Sequence, residues 1–348
     1  MSGGIAQLVA VGAQDVHLVG QPEVSFFRST YKRHTNFSQT VERQVIQGNV
    51  SNNGMSTVRF ERKGDLLGYV YLVANDGTQA VDISQANWRT MISKVELLVG
   101  GQVIDEQDAT FSTLIAPTLL ATSTPKSMGA DLFGATSASR FYPLRFNFCE
   151  NWQSALPLIS LQYHDVELRI TWGSAASTDK WDVYANYAYL DTQEREVFAA
   201  QPQNMIMTQV QKAIASGNKI QELNFNHPVK YLASADASDL AILNNDNKLK
   251  LQINGTDVAD FKFADPNFTT VPLYYHTPNA DSSRAKKLFT YPFCLETAKL
   301  QPTGSLNFSR LDSARIINSA RNSEKDIYAV NYNVLRIENG MGGLLYSN

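Results

Sequence analysis

Residues 93–106, SKVELLVGGQVIDE, and residues 247–260, NKLKLQINGTDVAD, carry one pattern twice. Lys94 aligns with Lys248, Leu97 with Leu251, Val99 with Ile253 and Gly101 with Gly255. In each copy apolar residues alternate (Val95, Leu97, Val99; Leu249, Leu251, Ile253), the period-two mark of a half-buried strand. Gly100-Gly101 and Asn254-Gly255 then supply the positive φ of a tight hairpin. Each copy is read as a β-hairpin.

Two further blocks repeat in the same order. Phe148-Cys149 falls over Phe293-Cys294, with Pro157, Ser160, Leu161, Gln162 and Tyr163 over Pro302, Ser305, Leu306, Asn307 and Phe308. DVYANYAYL (182–190) falls over DIYAVNYNVL (326–335), with one residue inserted at Val330. The offset shortens by nine residues between the first and second blocks, which places extra residues in a loop of the first copy. Three blocks in one order imply a tandem duplication. Asn52-Asn53-Gly54, between apolar stretches 45–50 and 57–60, is a second hairpin signal. Further strands are expected at 66–73, 166–171, 223–226 and 314–317, and helices only in loops, at 109–123 and 205–214. Short strands at this density predict sandwiches or jelly rolls, not βα units. The module boundary is expected near residue 203, giving domains 1–203 and 204–348.

The 348 residues are 43% hydrophobic and 18% charged, the composition of a folded globular chain. A net charge of −3 offers no field for coating a genome, so sequence-specific nucleic acid is not expected as a partner. Cys149 and Cys294 read as two buried thiols of a chain matured in a reducing compartment. The start, MSGGIAQLVAVGAQD, has no basic segment followed by an apolar one, and no apolar run approaches the roughly 18 residues of a spanning helix. A soluble, non-secreted protein is expected.

Catalytic patterns are missing. His17, His34, His164, His227 and His276 are dispersed, which disfavours a cupin-type metal site, and His164-Asp165 reads as a polar strand position. Neither a P-loop nor a nucleophile-elbow pattern occurs, and ENGMGGL (338–344) reads as a flexible tail. Asn36, Asn49, Asn254, Asn267 and Asn307 fall in N-x-S/T triplets and read as chance matches. No catalytic residue, metal, cofactor or small-molecule substrate is expected.

The stretch GAQDVHLVGQPEVSFFRSTYKRHTNF (12–37) resembles the opening of the major capsid proteins of nucleocytoplasmic large DNA viruses, the iridoviruses and phycodnaviruses among them. KIQELNFNHPVKYL (219–232) is similar to the start of their second jelly roll, and QPTGSLNFSRLDSARI (301–316) with IYAVNYNVLRIENGMGGLLYSN (327–348) to their closing strands. His17 stands where an aromatic residue is commoner in the family, Ser29-Thr30 replaces a more apolar pair, and the loops look trimmed. The resemblance implies an all-β double jelly roll: two tandem, eight-stranded antiparallel jelly rolls with short loop helices. It further implies a structural major capsid protein, forming a homotrimeric pseudo-hexagonal capsomer that tiles an icosahedral shell. Its partners would be neighbouring trimers, minor capsid and vertex proteins, and an internal membrane. Its place would be the virion capsid, assembled in the host cytoplasm. Aromatic and arginine residues anchor interfaces, so Phe26, Phe27, Arg28, Tyr31, Lys32, Arg33 and Phe37 are the candidate assembly contacts. A minor capsid, vertex or virophage-like protein of the same fold is the alternative reading, and a carbohydrate-binding attachment protein a more distant one.

Overall fold

A computed structural model describes residues 3–20, 26–29, 31–120, 138–278 and 286–347. The chain divides into two compact units, Met1–Asn36 and Phe37–Asn348. In the first, a helix spans Gly3–Val9 and a 3-10 turn spans Ala13–His17, where the Asp15 carboxylate accepts from Gly12 N at 2.6 Å. None of its described residues is buried.

The second unit is β-rich. Its first half holds β1 (Phe37–Gln44), β2 (Met55–Arg59), β3 (Leu66–Asn75), β4 (Ile92–Val99), β5 (Gln102–Asp108), β6 (Val166–Trp172) and β7 (Lys180–Leu190). Its second half holds β8 (Gln203–Ala213), β9 (Ile220–Glu222), β10 (Pro228–Ala235), β11 (Lys248–Ile253), β12 (Leu288–Pro292), β13 (Ala314–Asn318), β14 (Ile327–Glu338) and β15 (Met341–Leu344). One sheet of the first half runs β1-β7-β3, and its counterpart in the second runs β8-β14-β10-β12. The other sheet runs β2-β6-β4-β5, and its counterpart runs β9-β13-β11 and ends on the two-residue strand Thr256–Asp257. In both halves the first and last long strands lie side by side, and the hairpin strand β4 or β11 pairs with β6 or β13. The duplication is therefore visible in topology: each half is an antiparallel jelly roll.

The hairpins behave as their turn residues require. Val99 pairs with Gln102 around Gly100 (φ 58°) and Gly101 (φ 82°), and Ile253 pairs with Thr256 around Asn254 (φ 49°) and Gly255 (φ 78°). Ile46 and Gln47 pair with Val58 and Thr57, so the Asn-Asn-Gly signal also marks a hairpin.

Several expectations are corrected. Of segment 205–214, residues 205–213 lie in β8, not a helix: Met, Gln and Lys favour helices, but an eleven-residue ladder to β14 overrides propensity. ENGMGGL is no loose tail, because Asn339 (φ 53°) and Gly340 (φ 77°) turn β14 into β15 by the same Asn-Gly chemistry. The strand expected at 223–226 ends at Glu222. Of the segment 109–123, residues 111–119 are helical and 121–123 lie outside the described residues. Phe148-Cys149 sits in a helical turn, Asn147–Glu150, and Cys149 is only half-buried, whereas Cys294 is buried. His164 precedes β6, with Nδ1 2.8 Å from Gly342 O, so it holds the terminal hairpin rather than occupying a strand.

Register corrects the second and third repeat blocks. Tyr184 opposes Tyr71 and Tyr328 opposes Ala233; Tyr187 then opposes Leu67 and Asn331 opposes Val229. Both ladders advance by equal steps, so no residue is inserted at Val330, and Tyr187 corresponds to Asn331, not to Tyr332. Leu156 opposes Leu67 and Leu306 opposes Val229, which matches Leu306 to Leu156 in place of Leu161. A slip of this kind moves side chains to the wrong face of a strand with period two.

The first core is built around Trp88, Trp172, Trp181 and Tyr142, and the second around Leu232, Phe289, Phe308 and Ile316. Met207, Leu335 and Ile337, from strands of the second half, join the first core.

Candidate assembly surfaces

A third apolar cluster joins the two jelly rolls and shows how this chain makes a surface fit. Immediately after β5, residues 111–119 wind into a helix whose residues are all buried. Phe111, Leu114, Ile115 and Leu119 pack on Tyr231, Ala233, Leu288, Tyr328 and Val330, the outer face of the β14-β10-β12 sheet. Consequently β10 is buried on both faces from Val229 to Ala235. Tyr328 Oη donates to Asp108 Oδ2 at 2.5 Å, and the Phe111 and Tyr328 rings lie 6.0 Å apart.

Polar groups fix the same junction. In the β4-β5 ladder Leu97 opposes Asp105 and Leu98 opposes Val103, so Ile104 is an extra residue, a bulge. Bulges re-aim side chains, and Asp105 here is buried. Its carboxylate accepts from Val210 N at 2.9 Å across the junction, from Glu106 N at 3.0 Å and from Gln107 Nε2 at 2.8 Å. Gln209 Nε2 also donates to Ile104 O. Burial pushes the Asp105 carboxyl up to about 7, against the lowering effect of these donors. A folded value above the unfolded one means that the native state holds an extra proton between pH about 4 and 7. Stability contributed by the protonated form is lost as pH rises through that window, approaching about 1.4 kcal/mol per pH unit. The stability difference between wild type and Asp105→Asn, from urea unfolding at pH 5 and pH 7, is expected to move against wild type as pH rises; a difference independent of pH contradicts the assignment.

A cleft of about 500 Å³ opens at this junction, lined by Arg89, Lys94, Glu106, Asp108, Lys212 and Tyr328. Four of its charges pair with one another, Lys94 with Glu106 at 3.1 Å and Lys212 with Asp108 at 3.3 Å, whereas Arg89 Nη1 is buried without a hydrogen-bond partner among the described residues. Among the described residues no group of three or more His, Cys, Asp or Glu side chains could hold a metal, and no helix is long and apolar enough to cross a membrane.

The expected contacts fall on both units. Phe26, Phe27 and Tyr31 are 102%, 99% and 93% exposed, and Arg28, Lys32 and Arg33 are exposed, Arg33 donating to Asn36 Oδ1 at 3.0 Å. Phe37 opens β1 opposite Leu190 and is half exposed.

Two exposed aromatic groups escaped the sequence reading. Tyr69, Tyr71, Phe141 and Tyr184 form a connected set on the outer face of the β1-β7-β3 sheet, with Tyr71 5.4 Å from Tyr184 and 6.0 Å from Phe141. Their signal was the alternation in β3, where Val70, Leu72 and Ala74 are buried and Tyr69, Tyr71 and Val73 face out. On the short helix Thr270–His276, Tyr274 and Tyr275 are 80% and 72% exposed with rings 4.9 Å apart.

Comparison with known proteins identifies the family. The family described as major capsid protein N-terminus matches residues 25–197, and that described as large eukaryotic DNA virus major capsid protein matches residues 194–343. Over the whole of both chains the sequence is 35% identical to the major capsid protein of Pyramimonas orientalis virus and 30% identical to that of Paramecium bursaria Chlorella virus 1. The first alignment takes 401 positions for a chain of 348 residues, so that relative carries segments this chain lacks. The PBCV-1 virus capsid model superposes with a TM-score of 0.75 at 25% identity, covering 93% of this chain and 100% of that one. The Faustovirus major capsid protein shares the fold, with a TM-score of 0.64 at 11% identity. These relatives are structural proteins, not enzymes, and their fold is the double jelly roll. Matched from end to end in sequence and in fold, the chain belongs to the major capsid protein family of large eukaryotic DNA viruses.

Proposed function

We propose that the chain forms a homotrimeric, pseudo-hexagonal capsomer, and that these capsomers tile the icosahedral shell of a large DNA virus assembled in the host cytoplasm. The observation that carries this reading is the doubled topology, two jelly rolls of like strand order in one chain. Three chains present six like modules, and a ring closed by one repeated heterologous contact acquires a near-hexagonal outline that tiles a plane. We place the division between modules at residue 203, with domains 1–203 and 204–348. Negative-stain images of the purified protein are expected to show hexagonal outlines; five-fold rings would point to a vertex protein, and isolated monomers would remove the capsomer.

Within this reading the first unit is the part that reaches other components. Its described residues bury nothing within the unit, although Phe26, Phe27 and Tyr31 are large aromatics interleaved with Arg28, Lys32 and Arg33. Exposed aromatic and arginine groups of this density suit protein contacts, here with neighbouring trimers and with minor capsid and vertex proteins at the capsomer base. Contact with an internal membrane is the weaker use, because three cations contribute only about 1 kcal/mol each at an anionic surface. Deleting residues 2–36 is expected to leave trimers intact while lowering the yield of closed shells about tenfold or more. Normal shell yield from the truncated chain contradicts this role.

A further inference from the structure

We infer that the outer face of the β1-β7-β3 sheet is the seat for helix Thr270–His276 of a second copy of this chain. The contact would repeat between copies what the 111–119 helix does within one. This inference rests on the trimer reading above and specifies which surfaces close the ring.

The two halves supply matching parts. Lys94 opposes Asp108 in the first hairpin and Lys248 opposes Phe263 in the second, so Ala109 corresponds to Ala264. The residues that follow are helical in both halves: 111–119 in the first, Thr270–His276 in the second. The acceptor faces correspond as well. Because Tyr71 and Ala233 oppose Tyr184 and Tyr328, the outward set Tyr69, Tyr71 and Tyr184 matches Tyr231, Ala233 and Tyr328. Phe141 precedes Tyr142, which opposes Leu72, and Leu288 precedes Phe289, which opposes Ser234, so Phe141 matches Leu288.

The acceptor faces differ in cover. In the second half the seat is filled, and β10 is buried on both faces. In the first half the equivalent seat is open: Tyr69 and Phe141 are 40% and 44% exposed, and β3 alternates between buried and outward residues. The second helix buries Pro272 and Leu273, the latter in the same apolar cluster as the 111–119 helix, and leaves Tyr274 and Tyr275 facing solvent. Among the described residues each molecule thus carries one filled seat, one open seat and one helix with an outward tyrosine pair. Neither open part covers the other within the chain. A second copy supplies both complements, and repeating the step in the same sense closes a ring. Tyrosine and phenylalanine are the residues that dominate interface energetics once desolvated.

The test uses the full chain in three variants, with mass in solution measured by light scattering. Tyr275→Asp and Tyr69→Lys alter exposed residues, and each alone is expected to weaken trimers by about a hundredfold or more, leaving monomers at micromolar concentration. The chain carrying both substitutions places an aspartate of one copy against a lysine of the next and is expected to recover the trimer, which a misfolded protein would not do. Trimeric wild type with trimeric single variants overturns the inference and leaves the capsomer standing. Monomeric single variants without recovery in the double variant also overturn the proposed pairing. Monomeric wild type overturns the trimer reading, and the inference with it.

Discussion

Replacing Trp172 by alanine is expected to destabilise the protein by ~3–5 kcal/mol, the range for deleting a buried aromatic side chain. Trp172 is fully buried at the end of β6, its ring 4.8 Å from Trp181, which in turn lies 5.9 Å from Trp88. Its Nε1 donates to Ser56 Oγ at 2.9 Å, so truncation also strands a buried hydroxyl. Trp172→Phe keeps most of the volume and loses that bond, a cost of about 1–3 kcal/mol. Denaturant unfolding followed by tryptophan fluorescence checks the order; equal costs for the two variants would show that cavity formation is not the dominant effect.

Phe111→Ala is the second large effect, again ~3–5 kcal/mol, and it acts on the union of the modules. Phe111 fills the outer face of the second sheet against Tyr328, beside the Asp108–Tyr328 hydrogen bond. Both cores should remain formed while the seat is emptied, so calorimetry is expected to show a lower midpoint and a broader transition as the halves lose coupling. An unchanged midpoint would mean that the shared strands β8 and β14, through Met207, Leu335 and Ile337, carry the union without the helix.

The duplicated hairpins were legible because their information is local: alternation along the strands and Gly-Gly or Asn-Gly at the turn specify them within a dozen residues. Asn339-Gly340 carried the same signal and was passed over because glycines crowd around it. The register of the third block was not legible, since Asn186-Tyr187 and Asn331-Tyr332 look alike as letters. Only the ladders show Tyr187 facing the first core and Tyr332 lying on the other face, 5.8 Å from Lys230 Nζ. Helix-favouring Met205 to Gln211 gave no local sign of a partner strand more than a hundred residues away. The open seat was half legible. Period two places Tyr69 and Tyr71 on one face, but what distinguishes that face from its counterpart is the 111–119 helix, which the sequence sets far from the strands it covers. The candidate contacts Phe26, Phe27, Arg28, Tyr31, Lys32, Arg33 and Phe37 rest on residue type, which carries no information about the surface they meet.

The most direct measurement is the mass of the purified full-length chain in solution by multi-angle light scattering at micromolar concentration. A species near three times 38.6 kDa is the expected result. A stable 38.6 kDa monomer, or a five-fold assembly, would contradict the trimeric capsomer.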